Sequence, residues 1–225
     1  MSKDHSNITL KKITNFNNMP IILSETLKEQ IICGEISGGT QLKQEEIAKR
    51  FNVSLIPVRE AIIQLEAQGL VKCVRNKGAV VTNLSLEEMN ESFKLRVILE
   101  TGAIKQAIPN LLDEHINMFE FICTKMEHER DPVRWSRLNW LFHESLYIPT
   151  KNQRLMDVLE KLFVTIQRYT MLQLILTHDT KTANEDHRSL IAACKDKNIN
   201  KAMKIIEKHI ESERKELNLS MINEA

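Results

Sequence analysis

The chain has 225 residues, room for one small domain and one larger one, and its 42% hydrophobic content excludes wholesale disorder. A net charge of only +1 excludes a global basic field, so nucleic-acid binding would need a local patch. Cys33, Cys73, Cys123 and Cys194 form no CxxC pair, no apolar run is long enough to span a bilayer, and the polar N-terminus is no signal peptide. A cytoplasmic protein with reduced thiols and no membrane partner is expected.

Residues 1 to 16 are polar and expected to be a flexible N-terminus. Ile21, Leu23, Leu27, Ile31 and Ile32 predict a first helix over Ile21 to Cys33. A short helix over Gln44 to Phe51 follows, with Ile47, Ala48 and Phe51 on one face. Asn52 suits a turn, Ser54 can cap the next helix, and Pro57 sits in its first turn, where the missing N–H costs little. Ala61, Ile62, Leu65 and Leu70 supply a buried stripe, and Gly69 ends the helix. Leu70 to Val74 reads as a strand, Arg75-Asn76-Lys77-Gly78 as a basic hairpin turn, and Ala79 to Thr82 as the returning strand.

This order predicts a winged helix-turn-helix over residues 17–84, with the second helix of the pair across a DNA major groove. The local basic patch is Lys43, Lys49, Arg50, Arg59, Lys72, Arg75 and Lys77. The candidate DNA contacts are Lys43, Arg50, Ser54, Leu55, Ile56, Arg59, Arg75, Asn76, Lys77 and Gly78. Arg59 is the strongest base-reading candidate, because an arginine fork matches guanine, whereas Leu55 and Ile56 suit a thymine methyl. Arg75 and Lys77 suit phosphate or a minor groove. A buried helical hairpin with Arg59 paired to a glutamate is the plainer alternative. Cap, proline, arginine and wing occurring in order weigh against it.

After Leu84 the pattern is helical almost throughout. Ser85 caps a helix with Glu87 and Glu88 in its first turn. Helices are predicted over about 86–108, 112–128, 132–148, 152–177, 183–195 and 199–218, with Pro109, Pro132, Pro149 and Asn198 at the breaks. The expected fold is mainly α: the winged helix-turn-helix, then an antiparallel helical bundle over 85–219 and a tail at 220–225.

Three bundle helices carry histidine on an apolar face. Asn139 and His143 share a face with Phe142 and Leu146. His187 shares one with Leu190, Ile191 and Cys194, and His209 one with Ile205, Ile206 and Ile210. One such imidazole is usually a hydrogen-bonded core histidine. Three aimed inward from three helices suit a shared cation, which satisfies their nitrogens without mutual positive charge. His5, His115, His128 and His178 lack this arrangement and are expected at the surface.

The N-terminal part resembles the GntR family of bacterial transcription regulators. The matching residues are Gly34-Glu35-Ile36, Gly39, Leu42, Val53-Ser54-x-x-Pro57-Val58-Arg59-Glu60-Ala61, Gly69-Leu70-Val71 and Gly78-x-Val80-Val81. Family members often carry a base-contacting Arg after the cap Ser, where this chain has Leu55. The C-terminal part resembles the FCD type of effector domain, through Leu95-Arg96-x-x-Leu99-Glu100, Phe142-His143, Lys151-Asn152-x-x-Leu155, Glu185-Asp186-His187-x-x-Leu190-Ile191 and Ala202 with His209. Metal-binding members use three histidines, which His143, His187 and His209 match, and an Asp at the position held here by Asn139. Three imidazoles suffice for Zn²⁺ or Ni²⁺, and Asn is a weaker, neutral ligand.

A homodimer is expected because a single small reader gives too little specificity for a genome, and two recognition helices related by a two-fold axis require a pseudo-palindromic double-stranded operator. The resemblance implies a small carboxylate effector at the metal. Arg96 clamps that carboxylate or pairs with Glu100 at i+4; both are assigned to the effector site. Repression relieved by ligand is the default. An enzyme is the rival class, since an open three-histidine metal site can hydrolyse. Against it, Glu144 points off the His143 face and no inward carboxylate is placed as a base. A purely architectural DNA-binding protein is the third reading, and buried, unused histidines argue against it.

Overall fold

The computed structural model describes residues 18–177 and 180–223. It holds nine helices among the described residues: α1 (Met19–Ile32), α2 (Gln44–Phe51), α3 (Leu55–Ala67), α4 (Leu86–Ala107), α5 (Asp113–His128), α6 (Pro132–Tyr147), α7 (Gln153–Thr177), α8 (Lys181–Lys195) and α9 (Ile199–Asn223). Strands β1 (Val71–Val74) and β2 (Gly78–Val81) lie between α3 and α4 and pair antiparallel, with Val71 opposite Val81 and Val74 opposite Gly78.

Local chemistry places the turns. Asn52 (φ 53°) makes the left-handed residue between α2 and α3, and Asn76 (φ 64°) and Gly78 (φ 72°) turn the wing. Ser85 accepts the Glu88 N–H at the start of α4, and Asp131 accepts the Arg134 N–H at the start of α6, with Pro132 as its first residue. Pro109 and Pro149 fall in single 3₁₀ turns at Ile108–Asn110 and Ile148–Thr150. Ser54 does occupy the position before α3, with extended backbone, but its side chain makes no capping hydrogen bond.

Two hydrophobic clusters form. The first joins Leu23, Leu27 and Ile31 of α1 with Ile47, Val58, Ala61, Leu65, Leu70 and Val81, and it includes Val164 from α7. Ile21, assigned to the buried face of α1, is 54% exposed. Leu23, Leu27 and Ile31 recur at four-residue spacing, and that single stripe fills the contact with α3, leaving Ile21 outside it. The second cluster is the bundle core, where α4 runs along α9, α5 packs on α6 and α8, α8 packs on α9, and α7 lies against α4 and α6. α8 begins at Lys181, two residues earlier than the periodicity predicts, and α9 continues to Asn223, so the expected tail from 220 is helical up to that point. Residues 1 to 16 lie outside the described residues.

Candidate functional site

The winged helix-turn-helix exposes Arg59, Arg75 and Lys77, among acids and exposed isoleucines. Arg59 is exposed on α3, and its Nε–H donates to Gln44 Oε1 on α2 at 3.1 Å. A neutral glutamine, not a glutamate, therefore steadies it, and its charge stays available. Ile56 on the same helix is 66% exposed. Leu55 differs: it is half-buried and packs against the N-terminal cluster, so it is less free than Ile56 to meet a base. Ser54, Arg75, Asn76, Lys77 and Gly78 are exposed, and the last four form the wing tip. Gln41 donates to the Lys77 carbonyl, which fixes the tip backbone while leaving the Lys77 ammonium free to reach outward. Two basic residues are already engaged within the protein. Lys43 pairs with Glu46 at 2.7 Å, and Arg50 donates to Gln30 at 3.4 Å and lies over the Phe51 ring.

In the bundle, α6, α8 and α9 bring His143, His187 and His209 together. They are 0%, 1% and 6% exposed, with ring centroids 4.9–5.4 Å apart. One ring nitrogen from each lies within 4.8 Å of the other two. Each helix supplies its histidine because the flanking apolar residues, such as Phe142, Leu190 and Ile210, turn that face inward.

Carboxylates stand behind two of the imidazoles. Glu100 Oε2 lies 3.2 Å from His143 Nδ1 and 2.5 Å from the Tyr147 hydroxyl, which donates to it. Burial alone would raise the Glu100 carboxyl, but the Arg96 guanidinium, and then His143, outweigh it and hold the group at about 2. Burial in turn holds His143 below the usual imidazole range, so a neutral ring donates its Nδ1–H to an ionised Glu100. Its Nε2 is then a bare lone pair facing the cluster. His209 repeats the pattern, with Nδ1 3.4 Å from Asp186 Oδ2, and that contact depresses the Asp186 carboxyl. His187 is pushed well below its ordinary range by burial and by His209 and His143.

Whether these residues fit a cation is decided by their unpaired atoms. His143 Nε2, both ring nitrogens of His187 and Asn139 Oδ1 are buried without a hydrogen-bond partner. Such atoms are costly to bury, and a divalent ion facing them would satisfy several at once. Carboxylates behind His143 and His209 are the outer partners that orient metal-bound imidazoles. The donor set fits.

Arg96 is not the open clamp that its sequence position suggests. Its Nε donates to Glu100 at 2.6 Å and its Nη1 to Glu213 at 2.6 Å, and the guanidinium lies over the rings of Phe93 and Phe163. Only Nη2, buried and unpartnered, remains for a ligand. Glu100 directs its oxygens at Arg96, Tyr147 and His143 and lines neither neighbouring cleft, so it orients His143 and has no face toward an effector. Its pairing with Arg96 is the i+4 bridge that the sequence offered, whereas its contact with His143 had no sequence signal. Held near 2 and fully engaged, it is a poor general base. Of the histidines expected at the surface, His128 is exposed, His115 is half-buried and its Nδ1 accepts the Leu112 N–H, and His5 and His178 lie outside the described residues.

Two clefts meet at Asn139. One is lined by Trp135, Asp186, His209 and Glu213, the other by Arg96, Trp140, Phe163 and Glu213. Asp186 and Glu213 were not singled out from the sequence. Glu213 is four residues past His209, a spacing that puts both on one face, whereas the Asp186–His209 contact joins two helices and has no local signal.

A winged helix-turn-helix joined to a helical bundle with a buried polar centre is the architecture of a transcription regulator rather than an enzyme. Residues 23–81 match the bacterial regulatory proteins of the gntR family and residues 91–212 match the FCD domain. The chain belongs to the GntR family and carries an FCD domain, a type that commonly binds metal. It is 30% identical to the HTH-type transcriptional regulator YdhC of Bacillus subtilis (strain 168), over 76% of this chain and 79% of that protein. It is 26% identical to the HTH-type transcriptional repressor GlaR of Escherichia coli (strain K12), over 82% and 89%. A GntR-family regulator from Pseudomonas syringae pv. tomato str. DC3000 superposes with a TM-score of 0.59 at 31% identity, covering 92% of this chain and 87% of that one.

Proposed function

We propose that this regulator holds a divalent metal, Zn²⁺ or Ni²⁺, at His143, His187 and His209 beside Asn139, and senses a small carboxylate there. The observation that carries this is the convergence of His143, His187 and His209 from α6, α8 and α9, with His143 Nε2, both His187 ring nitrogens and Asn139 Oδ1 buried and unpartnered. When bound, the ion supplies positive charge and open coordination positions to an anion. Glu100 and Asp186 keep His143 and His209 facing inward, and Arg96 Nη2 offers one charge-assisted hydrogen bond.

In this reading residues 17–84 bind DNA and residues 85–219 dimerise and sense. Arg59 meets base edges, with Ser54 and Ile56 beside it, and Arg75, Asn76, Lys77 and Gly78 follow the backbone. Two copies related by a two-fold axis match a pseudo-palindromic operator, because half-site spacing mirrors protein symmetry. Repression is supported by likeness to a relative named as a repressor, and its relief by the effector belongs to the same reading. The cytoplasm is its place of action. No helix among the described residues is long and apolar enough to cross a membrane.

The test combines metal analysis of untagged protein with a mobility-shift assay on the upstream region of its own gene, with and without small carboxylates. Sedimentation at micromolar concentration reads the oligomer. No stoichiometric metal after exposure to Zn²⁺ or Ni²⁺, together with no response to carboxylates, defeats the sensing proposal. A monomer that binds a single half-site tightly defeats the dimer.

A further inference from the structure

Arg59 reaches the outer surface with one edge of its guanidinium already committed. α3 turns Val58, Ala61 and Ile62 into the core, so Arg59 leaves from the opposite face, near the exposed Ile56. Its Nε–H donates to Gln44 Oε1 at 3.1 Å. Among the described residues no carboxylate pairs with Arg59, and no acceptor takes its Nη1 or Nη2 hydrogens. The one contact it makes is therefore with a neutral amide, which restrains the head without cancelling its charge.

Gln44 is well placed to restrain it. It is the first residue of α2 and is half-buried. Its backbone is fixed on both sides. Leu42 is buried and donates its N–H to the Ala79 carbonyl of β2 at 2.8 Å, and Ile47 is buried in the N-terminal cluster. An exposed arginine with no partner samples many rotamers and has to be ordered when it meets a base. A guanidinium carries planar N–H donors along its Nε edge and at its Nη end. With Nε–H held by Gln44, that edge is closed and the Nη1–Nη2 end stays open. The open end is a two-donor fork, and guanine presents two acceptors, O6 and N7, in the major groove.

We propose that Gln44 is a positioning residue for base reading: by holding Arg59 Nε it aims the Nη1–Nη2 fork end-on at a guanine and orders it before DNA arrives. This rests on the reading of Arg59 as the base contact. Gln44 itself touches no base in this arrangement, so its effect belongs to specific DNA alone. Phosphate contacts at the wing, and binding to unrelated duplex, do not depend on it. A glutamate in its place would still hold Nε, but it would neutralise the guanidinium and repel phosphate, which weakens every duplex alike.

The experiment selects a preferred site from randomised duplexes with the full-length chain. Affinity is then measured for that site and for a scrambled duplex over a range of salt. Gln44→Met keeps the length and removes the acceptor. It should lower affinity for the selected site by about three- to tenfold, the scale of ordering one long side chain on binding, and leave the scrambled duplex and the salt slope unchanged. Gln44→Glu restores an acceptor, so it should keep the ratio of the two affinities while weakening both. In an Arg59→Ala background Gln44→Met should change nothing further, because its partner is gone. A loss that persists in that background would make Gln44 a direct DNA contact and overturn the positioning role. An unchanged ratio in Gln44→Met, or a ratio that falls as far in Gln44→Glu, overturns it as well, while base reading by Arg59 stands. If Arg59→Ala itself leaves the ratio unchanged, the base-reading assignment fails, and the role of Gln44 with it.

Discussion

The guanidinium of Arg168 donates two hydrogen bonds to one residue, Thr82: Nη1 to its hydroxyl and Nη2 to its carbonyl, each at 2.9 Å. Arg168 lies on α7 and Thr82 just past the end of β2, so the bundle grips the base of the wing directly. The next residue, Tyr169, closes the grip, its hydroxyl accepting the Ser85 N–H and donating to the Ser85 carbonyl. Val164, one turn earlier, enters the N-terminal cluster, and Arg137 of α6 pairs with Glu29 of α1 at 2.5 Å. The helix that walls the Asn139 cleft with Phe163, Gln167 and Thr170 is therefore the helix that holds the wing. A shift of α7 has a mechanical route to the DNA-binding surface.

Arg168→Met should weaken this connection. Arg168 is buried, and removing its head leaves the half-buried Thr82 carbonyl without that donor, a loss of about 1 kcal/mol for a net hydrogen bond. The urea midpoint should fall with little change in slope, and any effect of a bound acid on operator affinity should shrink. An unchanged midpoint would show that the two hydrogen bonds carry no net stability.

Arg59→Ala should lower operator affinity by about 1–3 kcal/mol and relax preference at one base pair per half-site. Gln44 only steadies this side chain, so the loss should appear in DNA binding and not in the melting temperature. Retained preference in a binding-site selection would remove Arg59 from the base-reading set.

Lys77→Ala at the wing tip should weaken binding to all sequences alike. The slope of log affinity against log salt should flatten by about one unit for a lost phosphate contact. A change in sequence preference with an unaltered slope would instead make Lys77 a base reader.

The winged helix was legible because its signals are local: Asn52 at a left-handed turn, Pro57 early in α3, and Asn76 and Gly78 in a hairpin. Each determines backbone within a few residues. The convergence of three histidines was also legible, since each sits on an apolar stripe of a long helix. What escaped was pairing across helices. Arg96 sits four residues from Glu100, but that it also reaches Glu213, 117 positions away, depends on α4 running along α9. Asp186 behind His209 and Arg168 on Thr82 are hidden for the same reason. Ser54 shows the opposite failure, a local signal whose hydrogen bond does not form.

The metal reading is tested by His187→Ala and Asn139→Asp together. His187 is 1% exposed with both ring nitrogens unpartnered, so in metal-free protein its removal discards atoms that are satisfied by nothing and leaves a cavity. The decisive quantity is the increment from added ion. In the wild type, Zn²⁺ or Ni²⁺ at a hundred times its dissociation constant should add about 2.7 kcal/mol of stability by mass action, and His187→Ala should abolish that increment. Asn139→Asp replaces a neutral oxygen with a charged one beside His143 and should tighten metal binding on the order of tenfold or more, about 1.4 kcal/mol. The same added negative charge should weaken an anionic effector. Chelation followed by readdition, read by calorimetry, separates these effects from simple repacking. A wild type that gains nothing from either ion, with an Asn139→Asp variant that gains nothing either, would rule out the metal, and the three histidines would then meet the carboxylate directly beside Arg96.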